Sequence, residues 1–197
     1  RVSRLSKAFL KAYPFDSETT VVMDFACGTG LVSRALCSYA RNVVGVDISP
    51  NMVDEYNRRV MDQGIPSDEM HAVLAHIDSP TPEGLENIQF DVIVCAASYH
   101  HFPSIEETTV SLARFLKTGG VLMVADLLRS PNAHEIFDHG DARSEADLVA
   151  HPGGFEEGTI RSAFEMAGLK SIHFGNAATA KKNGHEVKFF IATGVKS

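Results

Sequence analysis

The run Asp24-Phe25-Ala26-Cys27-Gly28-Thr29-Gly30 puts an acid ahead of two closely spaced glycines, and a second acid, Asp47, follows seventeen positions beyond Gly30. Glycines in such a turn let the backbone approach a ligand closely, and a helix that follows offers free N–H groups. An acid at the tip of the next strand can accept hydrogen bonds from both ribose hydroxyls of an adenosine. A lone glycine pair would read as a plain turn. Strand, glycine turn, helix, strand and terminal acid in this order point instead to an adenosine-bearing cofactor. The dinucleotide fingerprint asks for a third glycine where this chain has Ser33. Asp24 would also repel a pyrophosphate and attract an ammonium or sulfonium. The pattern therefore favours a cationic adenosine cofactor over NAD(P).

A second group of residues could move a proton. Ser98-Tyr99-His100-His101-Phe102 follows an apolar run, and an imidazole titrates near neutrality. His100 or His101 is a candidate general base, against the simpler reading that the pair shapes its loop. Asp126 interrupts the apolar run Val121–Leu128 near its end, where it either faces a ligand or caps a loop. His134, His139 and His151, with Asp138 and Asp141, match no standard metal-ligand spacing. No metal is expected, and these residues read as a polar lid. Cys27 reads as a passive turn residue.

The elements that must position these groups alternate. Thr20–Phe25, Asn42–Asp47, His71–Ile77, Phe90–Ala97 and Val121–Leu128 are apolar, strand-like runs. Between them, helical patterns occupy Leu31–Ala40, a stretch opened by Ser49-Pro50 and closed by Gly64, and a stretch opened by the Ser104/Glu107 capping box. Ser79–Gly84 reads as a loop, with room for a short helix after it. A helix over Glu156–Ala167 precedes strands at Ser171–Asn176 and Val187–Thr193. The loop between these last two is too short for a parallel crossover, so they should form an antiparallel hairpin. Continuous apolar strands separated by helices predict a doubly wound, mostly parallel α/β sheet buried on both faces.

The chain has 197 residues, a length suited to one domain spanning 1–197. Within it, 1–19 reads as an N-terminal helix and lid remnant, and 129–154 as an insertion forming an acceptor lid. Arg4, Lys7 and Lys11 alternate with Leu5, Phe9 and Leu10, a basic amphipathic helix packed on the sheet or facing an anionic surface. Acids exceed bases by 25 to 18, for a net charge of -7, which disfavours nucleic acid as a partner. No apolar run is long enough to span a bilayer as a helix, so no integral membrane association is expected. Three cysteines without paired spacing fit a reducing compartment. A cytoplasmic location is expected, with organelle targeting left open because the chain starts at Arg1.

The segment VVMDFACGTGLVSRAL…VVGVDISPNMV resembles the first motif, and the acidic motif after it, of class I S-adenosylmethionine-dependent methyltransferases. The likeness is greatest to the small-molecule branch that includes ubiquinone- and menaquinone-type enzymes. FDVIVCAASYHHF, LKTGGVLMVADLL and GFEEGTIRSAFEMAGLKSIHF resemble that branch's later motifs in order. The resemblance implies a Rossmann-like seven-stranded sheet of order 3-2-1-4-5-7-6 with strand seven antiparallel. It implies S-adenosyl-L-methionine as cofactor, S-adenosyl-L-homocysteine as product and a small organic methyl acceptor. Asp24 would hold the methionine amino group, and Ala26, Gly28 and Gly30 would line the methionine and ribose. Asp47 would take the ribose hydroxyls, Ile48 and Met52 would pack on the adenine, and Asp78 with Ile77 would receive the adenine amino group. Ala96 would offer its carbonyl to the amino end. His100 is the candidate catalytic base. A monomer or homodimer is expected. The alternatives are a non-catalytic regulatory or heterodimer subunit that binds the same cofactor, and an NAD(P)-dependent oxidoreductase.

Overall fold

The computed structural model describes residues 2–80, 82–130, 149–182 and 185–197. Helices α1 (Val2–Ala12), α2 (Leu31–Leu36), α3 (Pro50–Asp62), α4 (Ile105–Arg114) and α5 (Glu157–Met166) flank seven strands. These are β1 (Val21–Phe25), β2 (Asn42–Asp47), β3 (Met70–Leu74), β4 (Phe90–Ala96), β5 (Leu116–Leu127), β6 (Leu169–Lys182) and β7 (His185–Lys196). They form one sheet in the order β3-β2-β1-β4-β5-β7-β6. β7 runs antiparallel to both neighbours, and the pairs from β3 to β5 are parallel. The order and the reversed strand are those anticipated from the sequence.

Strand periodicity divides the core between two faces. Val22, Val43, Val92, Val94, Met123 and Ala125 pack with Leu5, Phe9, Val32 and Leu36 from α1 and α2. Their alternates Met23, Val44, Ile93, Cys95 and Val124 pack with Ile105, Leu112, Ile160 and Phe164 from α4 and α5. The apolar face of α1 is thus spent on the sheet: Leu5 and Phe9 are fully buried. α3 covers β2 and β3 through Val53, Tyr56 and Val60. Its Tyr56 ring lies so close to Gly45 and Gly30 that a Cβ on either would sit 2.7 Å from it. Among the described residues, no helix is long and apolar enough to cross a membrane.

Several boundaries differ from the sequence reading. β3 ends at Leu74, which pairs with the last residue of β2, Asp47. Ala75 N–H still donates to the Asp47 carbonyl, at 3.1 Å, but beyond it β2 has no residue left to pair, so Ile77 lies outside the ladder. β5 starts at Leu116, opposite Phe90, with a register shift between Phe90 and Val92. α2 stops at Leu36 and tightens into a 3-10 turn over Cys37–Tyr39. No helix forms after Gly84; isolated turns with Leu85 N–H on the Pro82 carbonyl and Ile88 N–H on the Leu85 carbonyl take its place. Most of the anticipated insertion, including His134, Asp138, His139 and Asp141, lies outside the described residues.

Candidate active site

β1 and β4 are neighbours whose chains leave in opposite directions, β1 toward α2 and β2, β4 toward α4 and β5. The carboxyl ends of two such strands open a crevice in a doubly wound sheet. Two non-glycine residues there adopt left-handed backbone: Ala26 after β1 at φ 54° and Ala97 after β4 at φ 53°. Such conformations cost roughly 1–3 kcal/mol each and gather where a site needs the backbone aimed. Gly28 and Gly30 continue the left-handed turn at φ 52° and 80°. Gly30 then begins α2.

Asp24 is buried below this turn, and its Oδ2 accepts from the Ser33 backbone N–H at 3.0 Å and from the Ser33 hydroxyl at 2.6 Å. No donor among the described residues reaches its Oδ1. Burial pushes the Asp24 carboxyl up to about 7; the Ser33 hydrogen bonds oppose that shift and Asp47 adds to it. A buried carboxylate with one oxygen uncommitted fits a cationic ligand group, because an ammonium both neutralises and hydrogen-bonds it.

Asp47 stands where the adenosine reading needs it, with an additional task. Its Oδ2 accepts from Gly28 N–H at 2.9 Å and its Oδ1 from Ser49 N–H at 3.0 Å. The acid therefore ties the glycine turn to the start of α3, and each oxygen keeps lone-pair capacity for a hydroxyl. Thr29 is tied down too, accepting from Arg59 Nη1 at 3.0 Å while Glu55 holds the same guanidinium.

A cleft of about 310 Å³ lies beside Asp47 and is lined by Phe25, Ile48, Ile77, Asp78, Phe102 and the first turns of α4. Ile48 is 63% exposed in spite of its apolar side chain, and Met52 is 42% exposed. Met52 does not line this cleft. The cleft is narrow and mostly apolar, with Asp78, Ser104, Glu107 and Thr108 at its edges, a composition suited to a flat heterocycle. A larger groove of about 810 Å³ opens beside Val21, at the opposite end of β1. Its Arg114 donates to the Ile77 carbonyl and its Lys117 to Asp91.

Across the crevice, Ala96 ends β4, and its carbonyl accepts from the Ser98 hydroxyl at 3.2 Å. His100 follows in a 3-10 turn over Tyr99–His101. Tyr99 and Phe102 anchor that turn: the Tyr99 hydroxyl is 3.1 Å from Thr109 Oγ1, and Phe102 packs on Phe25 and Tyr99. The His100 ring meets Asp126 through Nδ1, at 2.8 Å from Oδ1. The far end of the insertion seats on the same turn, with His151 N–H donating to the His100 carbonyl at 3.0 Å, and Phe155 just beyond it bridges to Leu128. Reading the sequence left Asp126 between ligand and loop; the fold brings it to His100. Ala97 has no signature in the sequence, because alanine carries no signal of positive φ. Cys27 is buried, with its thiol pushed up by burial and by Asp24 and Asp47, so it offers no thiolate.

A mostly parallel sheet with a strained, acid-lined crevice at its switch point defines a Rossmann-like protein built for an adenosine-bearing cofactor. Residues 23–124 match the methyltransferase domain family, and the chain belongs to that family. It is 35% identical over 170 residues to an uncharacterized methyltransferase of Schizosaccharomyces pombe, covering 85% of this chain and 60% of that protein. It is 25% identical over 113 residues to the ubiquinone biosynthesis O-methyltransferase of Stutzerimonas stutzeri, covering 57% of this chain and 47% of the other. The chain thus spans about half to three-fifths of the length of these relatives. The crystal structure of the YcgJ protein from Bacillus subtilis shares its fold, with a TM-score of 0.75, 16% identity and 98% of each chain covered. The superfamily anticipated from the motifs, class I S-adenosylmethionine-dependent methyltransferases, is the one these comparisons support.

Proposed function

We propose that this protein transfers a methyl group from S-adenosyl-L-methionine to a small organic acceptor by in-line displacement, leaving S-adenosyl-L-homocysteine. The observation that carries the reading is the buried Asp24 carboxylate, with Oδ2 held by Ser33 and Oδ1 uncommitted beneath the glycine turn. That arrangement suits an amino-acid ammonium and opposes a pyrophosphate.

The other roles follow from position. Ala26, Gly28 and Gly30 present backbone to the methionine and ribose, and Ala96 presents its carbonyl from the opposite wall. Asp47 receives the ribose hydroxyls while it holds Gly28. Ile48, Ile77 and Asp78 receive the adenine in the narrow cleft, whose lining does not include Met52. When bound, the cofactor supplies an electrophilic methyl on a cationic sulfur. This chain's residues supply alignment, which is worth of the order of ~7–11 kcal/mol for well-oriented groups. An acceptor with a proton to lose also needs a base, and His100 takes that role. In the tautomer that donates from Nδ1 to Asp126, Nε2 is the nitrogen that would accept the proton. Asp126 is the positioning residue that fixes this tautomer. The segment 129–154 serves as the acceptor lid, and its far end is seated on the His100 turn.

Calorimetric titration with S-adenosylmethionine, S-adenosylhomocysteine and NADH tests the reading. Micromolar binding of both adenosyl ligands with NADH silent is expected. NADH binding with the adenosyl ligands silent would replace it with the oxidoreductase reading.

A further inference from the structure

Ser33 stands where a dinucleotide-binding turn would carry its third glycine, and in this fold it does something a glycine cannot. It is fully buried on the first turns of α2, and both its donors, the backbone N–H and the hydroxyl, converge on one oxygen of Asp24. A glycine would supply only the first. With Oδ2 doubly held, turning the carboxylate would break both hydrogen bonds, and Oδ1 is left on the side that no other donor among the described residues covers. The geometry is that of a pinned receptor for one cation.

We propose that Ser33 is the positioning residue of the cofactor's amino-acid subsite, and that through it the ammonium of S-adenosylmethionine binds Asp24 with release of a proton. This rests on the reading that Asp24 receives that ammonium. The balance is simple: a carboxylic acid plus an ammonium become a carboxylate–ammonium pair and one proton in solution. In the empty site burial raises the Asp24 carboxyl to about 7, so near neutrality a large fraction carries the proton that must leave. Ser33 favours the ionised form and so eases its departure. The groups whose fields reach Asp24 are Asp47 from β2, Cys27 from the turn, Tyr56 from α3 and Cys95 from β4. Burial raises the last three, so they stay neutral near pH 7. Asp47 is then the charge that opposes ionisation.

The test compares S-adenosylmethionine with 5′-methylthioadenosine, which has the adenosine but no amino acid, by calorimetry between about pH 6 and 8.5. In the wild-type protein, S-adenosylmethionine affinity should rise about tenfold per pH unit below neutrality and then level off, before it declines above about pH 8 as the ligand's own ammonium loses its proton. Repeating the titration in buffers of different ionisation enthalpy should show proton release. Methylthioadenosine should show neither effect. In Ser33→Ala the levelling point should move up by about one pH unit, with affinity near pH 6 about tenfold weaker and methylthioadenosine unaffected. Asp24→Asn should flatten the profile.

A Ser33→Ala profile that superimposes on wild type, with methylthioadenosine still bound, overturns the role of Ser33. Absence of proton release in the wild type overturns the linkage and needs no variant to fold. Equal, pH-independent affinities for the two ligands would instead remove the Asp24 reading beneath both. Should Ser33→Ala lose methylthioadenosine as well, Ser33→Gly decides in its place, by the same shift or its absence.

Discussion

His100 Nδ1 lies 2.8 Å from Oδ1 and 3.1 Å from Oδ2 of Asp126, and both side chains are buried where β4 and β5 end. Asp126 also accepts from the His100 and Leu127 backbone N–H groups. The carboxylate therefore fixes the ring and the turn that carries it. These neighbours arrive from parts of the chain 26 positions apart in sequence.

His100→Ala is expected to cut turnover while leaving S-adenosylmethionine affinity within about twofold, for an acceptor that loses a proton. Asp126→Asn should show the same split, because the amide leaves the geometry but not the tautomer preference. Turnover of a phenolic acceptor and calorimetric cofactor affinity, measured side by side, make the check. Parallel loss of both quantities would assign the pair to structure alone. Asp126→Ala removes the acceptor shared by three donors and should lower unfolding stability by about 3 kcal/mol or more in urea titrations.

Asp47→Ala should weaken S-adenosylmethionine by at least ~1.5–3 kcal/mol, the range for hydrogen bonds to a charged group. The variant also frees Gly28 N–H and Ser49 N–H, so part of the loss is loosening of the turn. Adenosine titrated against 2′,3′-dideoxyadenosine separates the two effects. If the wild type prefers adenosine and the variant does not, the ribose contact is real. Equal affinities in the wild type would remove it.

Gly45→Ala places a Cβ 2.7 Å from the Tyr56 ring and 2.9 Å from Cys27 Sγ. Overpacking of this kind typically costs about 1–3 kcal/mol. Shrinking the ring in Gly45→Ala/Tyr56→Leu should recover part of that loss, giving a non-additive double-mutant cycle. Urea unfolding of the four proteins reads it out, and strict additivity would mean the ring already yields.

Without ligand, the contribution of Asp24 to stability should fall as pH rises from about 4 to about 7. Asp24 has an ordinary value of 3.8 and is held near 7 in the folded protein. Between those values the folded state binds more protons than the unfolded one, so the slope is negative. The full difference is about 4 kcal/mol, present below the lower value and gone above the upper. Asp24→Asn should remove this component and raise the melting temperature at pH 8, although it loses the cation. A melting temperature unchanged by the substitution at pH 8 would contradict the shift.

Much of this architecture was legible in local sequence. Strands buried on both faces are written as uninterrupted apolar runs, and the short connection before Val187 forces an antiparallel return. The Ser104 cap of α4 forms as its spacing predicts, accepting from Glu107 N–H at 3.2 Å. The glycine turn and Asp47 were readable for the same reason: each is a residue type at a fixed offset from a strand end. Strand ends were less legible. β3 stops where its partner β2 runs out, and β6 and β7 lengthen because each gives the other a ladder. Pairing is a property of two segments, and one segment does not record it.

The sequence alone determined the fold class, the cofactor chemistry and the acid that ends the second strand, because backbone preference and charge act over a few residues. Only the tertiary structure decided what Ser33 and Asp126 do. Ser33 reads as a missing glycine until α2 turns it onto Asp24, and Asp126 reads as a stray acid until the parallel pairing of β4 with β5 brings it under His100. A hydrogen bond between buried side chains depends on distance in space, and that distance is set by how the sheet is ordered.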